Sequence, residues 1–141
     1  MKTLKTIIPA LALMLTFTFA KAEDNDNGKL TKNYAISTYV DAITLGKVDG
    51  LSEILDNDTK FCVLQGKKVT NYGRTEMLNH LAGLKNIKQA CTTTTTLVED
   101  NSEVTVLKVD MQYANFVRSN YVTIAKTGDG WKITNVCSVF K

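Results

Sequence analysis

An α+β fold is predicted by three features of the sequence: helical spacing of apolar residues near the amino terminus, a short hairpin followed by one more helix, and a β-rich run from Thr92 onward. Helices first and a meander of strands last is an α+β order, in which the helices pack on one side of an antiparallel sheet.

Residues 1–22 have the pattern of a secretory signal peptide. Lys2 and Lys5 form a basic start, Ile7 to Phe19 is a mostly apolar run too short to span a bilayer, and Ala20-Lys21-Ala22 supplies small residues around a cleavage point before Glu23. Export is therefore expected, to the periplasm or the medium, with no membrane partner. Lys2, Lys5 and Lys21 account for the whole formal charge of +3, so the mature chain is neutral and has no basic patch for nucleic acid. Residues 23–29, acidic and rich in asparagine, read as a disordered arm, and residues 30–141 as one domain.

Within that domain Tyr34, Ile36, Tyr39, Val40 and Ile43 fall mostly at helical spacing, and Gly46 ends the run. Asp49 is the expected amino cap of a second, shorter helix through Leu51, Ile54 and Leu55, closed by Asp56-Asn57-Asp58. Thr59–Leu64 and Lys67–Tyr72 flank Gln65-Gly66 as a hairpin. Thr75–Leu84 returns to helical period, with Met77, Leu78, Leu81 and Leu84 on one side. Turns at Glu99–Ser102, near Asn115 and at Thr127–Gly130 cut the remainder into four strands. Alternation places Leu107, Val109, Met111 and Tyr113 on the inner face and Lys108, Asp110 and Gln112 on the outer. It also turns Asn120, Val122 and Ile124 inward, with Trp131, Ile133 and Asn135. Two inward asparagines are unusual, because an unpaired buried amide costs about 1 to 3 kcal/mol.

The closing hairpin, Ser119 to Phe140 around Thr-Gly-Asp-Gly, resembles that of the nuclear transport factor 2-like superfamily, most closely its lumazine-binding branch. Leu45-Gly46-Lys47-Val48-Asp49-Gly50-Leu51 is similar to the family's link between its first two helices. The resemblance spans nearly the whole mature chain. It implies a strongly curved antiparallel sheet wrapped around the amino-terminal helices, a cone-shaped, cystatin-like roll with an internal pocket. On that scaffold the expected pocket residues are Tyr39, Val109, Met111, Tyr113, Asn120, Val122, Trp131, Ile133 and Asn135. The branch often carries an aspartate before the aromatic residue of the fifth strand. Here Asn120 precedes Tyr121, and asparagine cannot serve as a general base.

Chemistry-bearing residues are sparse. The lone histidine, His80, lies roughly 90° from the mean direction of Met77, Leu81 and Leu84 and reads as a solvated flank residue. Asp41 and Asp110 read as solvated. Cys62, Cys91 and Cys137 lack metal spacing, so no metal site is expected, and at most one internal disulfide can form. No cofactor motif is present. The sequence thus points to an exported, non-catalytic module binding a small, mainly apolar or aromatic molecule in the cone. The alternatives are a cofactor-free isomerase, dehydratase or cyclase, and an interaction module with a filled pocket. A homodimer is expected across the convex sheet face, built on Tyr121, Thr123, Thr134, Val136 and alternate threonines of Thr92–Thr96.

Overall fold

A computed structural model describes residues 30–141; the expected signal peptide and the 23–29 arm lie outside the described residues. Helix α1 (Lys32–Leu45) starts at Thr31, whose hydroxyl accepts from the Tyr34 backbone N–H at 3.1 Å, a satisfied amino cap. Its buried stripe is Ala35, Ile36, Tyr39, Ala42 and Ile43, the spacing of one helix face. Tyr34, read as part of that stripe, is instead exposed. Gly46 ends the helix in the left-handed region, φ +68°.

Helix α2 is a single turn, Leu51–Ile54, and its amino cap is Gly50 at φ +83°, where Asp49 was expected. Leu55 and the acidic residues after it do not close the helix but open strand β1 (Leu55–Gln65). Strand β2 (Lys68–Tyr72) pairs back on β1. Helix α3 (Arg74–Ala82) follows, the Glu76 carboxylate accepting from the Gly73 N–H at 3.4 Å. Strands β3 (Thr92–Asp100), β4 (Val104–Gln112), β5 (Val117–Thr127) and β6 (Gly130–Phe140) form the meander.

The six strands make one curved, unclosed sheet in the order β2-β1-β6-β5-β4-β3. Four neighbouring pairs are antiparallel, but β1 and β6 run parallel, so the sheet is not purely antiparallel as expected. A parallel neighbour requires a long crossover, here supplied by β2, α3 and the whole of β3–β5. The two helices α1 and α3 cover the concave side, α1 against β6 and α3 against β1. At the Leu30 end, the Lys32 ammonium donates to Asp100 at 2.7 Å and lies 4.5 Å from the Trp131 ring centre. The hydrogen bond from Lys32, followed by that from Thr105, holds the Asp100 carboxyl below its ordinary range.

Face assignment follows the alternation through β4 and β5. Thr105, Leu107, Val109 and Met111 are buried, as are Asn120, Val122 and Ile124. In β6 the alternation breaks. The pairing with β5 slips between Thr123 and Ile124, which face Asn135 and Ile133, leaving Thr134 as an extra residue. A bulge of this kind reverses the parity of everything after it. Trp131 and Ile133 are buried as expected, but Asn135 is exposed and Val136 buried. Asn135 is thus not an inward residue, and Val136 is not part of the convex face.

The parallel register of β1 and β6 brings two of the three cysteines together. Cys62 and Cys137 are register partners in the parallel pair, half-buried with free thiols, and Cys91 lies elsewhere on the chain, beside Thr93. Burial, and secondarily the Cys62 thiol, pushes the Cys137 thiol above its usual range. Register partners on adjacent strands lie within the Cα separation a disulfide spans. Of the pairings left open by the sequence, Cys62 with Cys137 is the one the sheet register suits.

Candidate cone pocket

A cavity of about 360 Å3 opens between α1, α3 and the sheet end where β1, β5 and β6 come together. Helix α1 contributes Ala42 and Ile43, and α3 contributes Glu76, Met77, His80 and Leu81. The connection after α3 adds Leu84, Ile87 and Gln89; the sheet adds Val63, Tyr72, Arg118 and Phe140. The walls are mainly aliphatic and aromatic, with a few polar groups, the usual constitution of a small-molecule site.

The connection after α3 is fastened to α1. The Asn86 N–H donates to the Gly46 carbonyl at 2.9 Å and the Gln89 N–H to the Thr44 carbonyl at 2.8 Å. A side-chain carbon at Gly46 would lie 2.6 Å from the Ile87 nitrogen and the Leu84 oxygen, so glycine is required both for φ and for the approach of this loop. Leu84 and Ile87 take their places in the wall from that contact.

Arg118 is the cation of the cavity. Its Nε donates to the Asn120 Oδ1 at 3.0 Å, and a terminal nitrogen donates to the Ser138 Oγ at 3.4 Å. The guanidinium lies 5.5 Å from the Phe140 ring centre. Behind it, Asn120 is fully buried: its Oδ1 also accepts from Ser138 at 2.6 Å, while its Nδ2 faces the Val109 carbonyl at 3.4 Å and the Met111 sulfur at 3.5 Å. The partners that a buried amide needs are therefore present, and Asn120 acts as a bracket for Arg118. Tyr39, also buried, has its hydroxyl pushed up to about 12 by burial, with the Arg118 guanidinium pulling the other way. Tyr113 donates to the Gln89 Oε1 at 2.9 Å and stacks on Phe116 with ring centres 4.4 Å apart. Its hydroxyl is also raised, chiefly by burial. Both phenols are protonated near neutral pH and can donate but not abstract a proton.

The nine residues expected in the pocket occupy three different places. Tyr39, Val109, Met111, Val122, Trp131 and Ile133 are packed in the core, with Asn120 among them, and none belongs to the cavity wall. Tyr113 is half-buried beyond β4, touching Gln89 of the wall, and Asn135 is on the outside. Arg118, absent from the expected pocket residues, shares parity with Asn120 and Val122 on β5, and the same alternation turns it inward. His80 was read as clear of the pocket; it is exposed yet lines the mouth, because the wall runs along the α3 flank that carries Glu76 and His80 one turn apart. Among the described residues, no cluster of three His, Cys, Asp or Glu side chains suits a metal ion.

Comparison with known proteins agrees with this architecture. The profile of the family described as putative lumazine-binding matches residues 31–139, and the chain belongs to that family, with the cone fold of nuclear transport factor 2-like proteins. A nuclear transport factor 2-like protein of unknown function from Silicibacter pomeroyi superposes with a TM-score of 0.61 at 14% identity, over 77% of this chain and 92% of that one. A protein of unknown function from Pectobacterium atrosepticum gives 0.60 at 17% identity, over 77% and 87%. A nuclear transport factor 2-like protein from Cytophaga hutchinsonii gives 0.57 at 13%, over 74% and 91%. Identities this low speak to the fold alone. A search of curated proteins finds no match.

Proposed function

We propose that this domain is an exported, non-catalytic binder of a small, mainly apolar molecule held in the cavity between α1, α3 and the sheet. One observation carries the reading: the cavity is open and largely apolar, while among the described residues no carboxylate is buried. Proton transfer next to a carbonyl needs a desolvated base, and the two buried or half-buried phenols are held protonated. Without such a pair the same space serves retention rather than turnover.

The neutral, apolar dye N-phenyl-1-naphthylamine tests the reading. It should bind saturably with increased fluorescence, and Met77→Trp, which extends a half-buried wall residue into the space, should reduce that binding at least tenfold at an unchanged melting temperature. Absence of dye binding, or binding by Met77→Trp equal to that of the parent, would overturn it.

Export and self-association complete the proposal. The outer face bears Thr94, Thr96, Tyr121 and Thr123, and its Lys108 and Asp110 partly neutralise each other at 3.5 Å. Native mass spectrometry of the protein recovered from its own cell reads both points at once. The expected mass is twice that of a subunit starting at Glu23, falling to one subunit in the Tyr121→Lys, Thr123→Lys double variant, where like charges would meet across the face. Retention of residues 1–22, or a monomer at micromolar concentration, would refute export or the dimer respectively.

A further inference from the structure

We infer that the ligand of the cone cavity carries an anionic group, most simply a carboxylate attached to an apolar ring or chain, and that Arg118 is the residue that selects it. This rests on the binding reading above and adds the class of ligand to it.

Arg118 brings a permanent positive charge to the cavity. Its guanidinium lines the cavity, yet among the described residues no carboxylate pairs with it; the ion pairs present involve Lys32, Lys85 and Lys108. Its protein partners, the Asn120 amide and the Ser138 hydroxyl, are both neutral. They fix the direction of the guanidinium but leave its charge uncompensated. Nε and one bond of a terminal nitrogen are engaged, and the other terminal N–H groups have no protein acceptor among the described residues. A planar fork of donors held this way matches a carboxylate. Aromatic and aliphatic walls, with Phe140 and Leu81 among them, offer apolar surface for the rest of such a ligand.

The other charged or titratable groups at the cavity do not cancel this cation. Glu76 is exposed on α3 with one oxygen directed to the Gly73 N–H, and His80 stands at the mouth. Tyr39 is held in its neutral form. The identity of residue 120 is decisive: an aspartate there would provide a buried counter-ion for Arg118 and remove the need for an anion from outside. Asparagine preserves the hydrogen bond without the charge.

Paired probes that differ in charge alone test the inference by calorimetry: indole-3-acetate against indole-3-acetamide, and octanoate against octanamide. In the unmodified protein the carboxylate of a pair should bind at least tenfold more tightly than its amide, and added salt should narrow the gap. Arg118→Met should abolish the preference while the amide still binds. Asn120→Asp should also abolish it, by placing the anion within the protein. Equal affinity for the two members of a pair in the unmodified protein overturns the inference and leaves the apolar binding reading intact, as does a preference that survives Arg118→Met. Failure of both members of both pairs to bind at millimolar concentration overturns the binding reading and this inference with it. The comparison within the unmodified protein decides even if a variant fails to fold.

Discussion

Val109→Asp should unfold the protein at room temperature, with loss of the cooperative thermal transition and of the native circular dichroism spectrum. Val109 has no exposed surface, sits at the middle of β4 opposite Asn120, and points at the helix layer. A carboxylate there finds no spare donor on its cross-strand partner, because the Asn120 Nδ2 already faces the Val109 carbonyl and the Met111 sulfur. The cost of burying it unpaired is several kcal/mol, comparable with the roughly 5 to 15 kcal/mol that stabilises a domain of this size. Gln112→Lys, three residues along on the exposed face, should move the melting temperature by little, corresponding to less than about 0.5 kcal/mol. Similar behaviour of the two variants would refute the face assignment of β4.

Gly46→Ala should be the next most damaging change, at about 2 to 4 kcal/mol, and should disturb the cavity as well as the fold. Two costs coincide at this position: a left-handed φ of +68° and a carbon forced to within 2.6 to 2.7 Å of three backbone atoms of the loop at residues 84–87. Those atoms belong to the loop that positions Leu84 and Ile87, so relief of the clash displaces the wall. Gly66→Ala is the control. Its φ is +61° but nothing lies within 4 Å of the added carbon, so only the dihedral cost of about 1 kcal/mol remains. Chemical denaturation of both variants separates the two effects. Equal losses would mean that the loop contact contributes nothing, and dye binding unaltered in Gly46→Ala would detach the loop from the cavity.

Local pattern carried most of the fold. Alternation in β4 and β5 is legible because a sheet covered on one side repeats with period two, and Gly46 is legible as a helix stop. What escaped has physical causes. An inserted residue such as Thr134 has no compositional mark, so the reversal of parity in β6, which exchanges Asn135 for Val136, is invisible until the pairing is known. The parallel match of β1 with β6 joins segments at opposite ends of the domain and leaves no trace in either. The cavity is harder still, since it is the space that α3 and the sheet fail to fill. Its wall therefore adds loop and flank residues, Ile87, Gln89 and His80, to stripe residues such as Ile43, Met77 and Leu81 that read equally as core. Arg118 is the one site residue that was within reach of the alternation argument, which had already turned Asn120 inward.

The parallel β1–β6 pairing has a consequence for how the chain assembles. About 75 residues separate Cys62 from its partner Cys137, so closing this contact carries the conformational entropy of a long loop, whereas β3–β4, β4–β5 and β5–β6 are joined by short turns. The meander can zip together locally; the β1–β2 hairpin can join it only through β6. Until that strand is in place, two rows of unsatisfied backbone groups, on β1 and on β5, face solvent and can capture other chains. The last strand of the domain is thus a seam between two separately formed halves, and the interval before it closes is the period in which the protein is most exposed to misassembly.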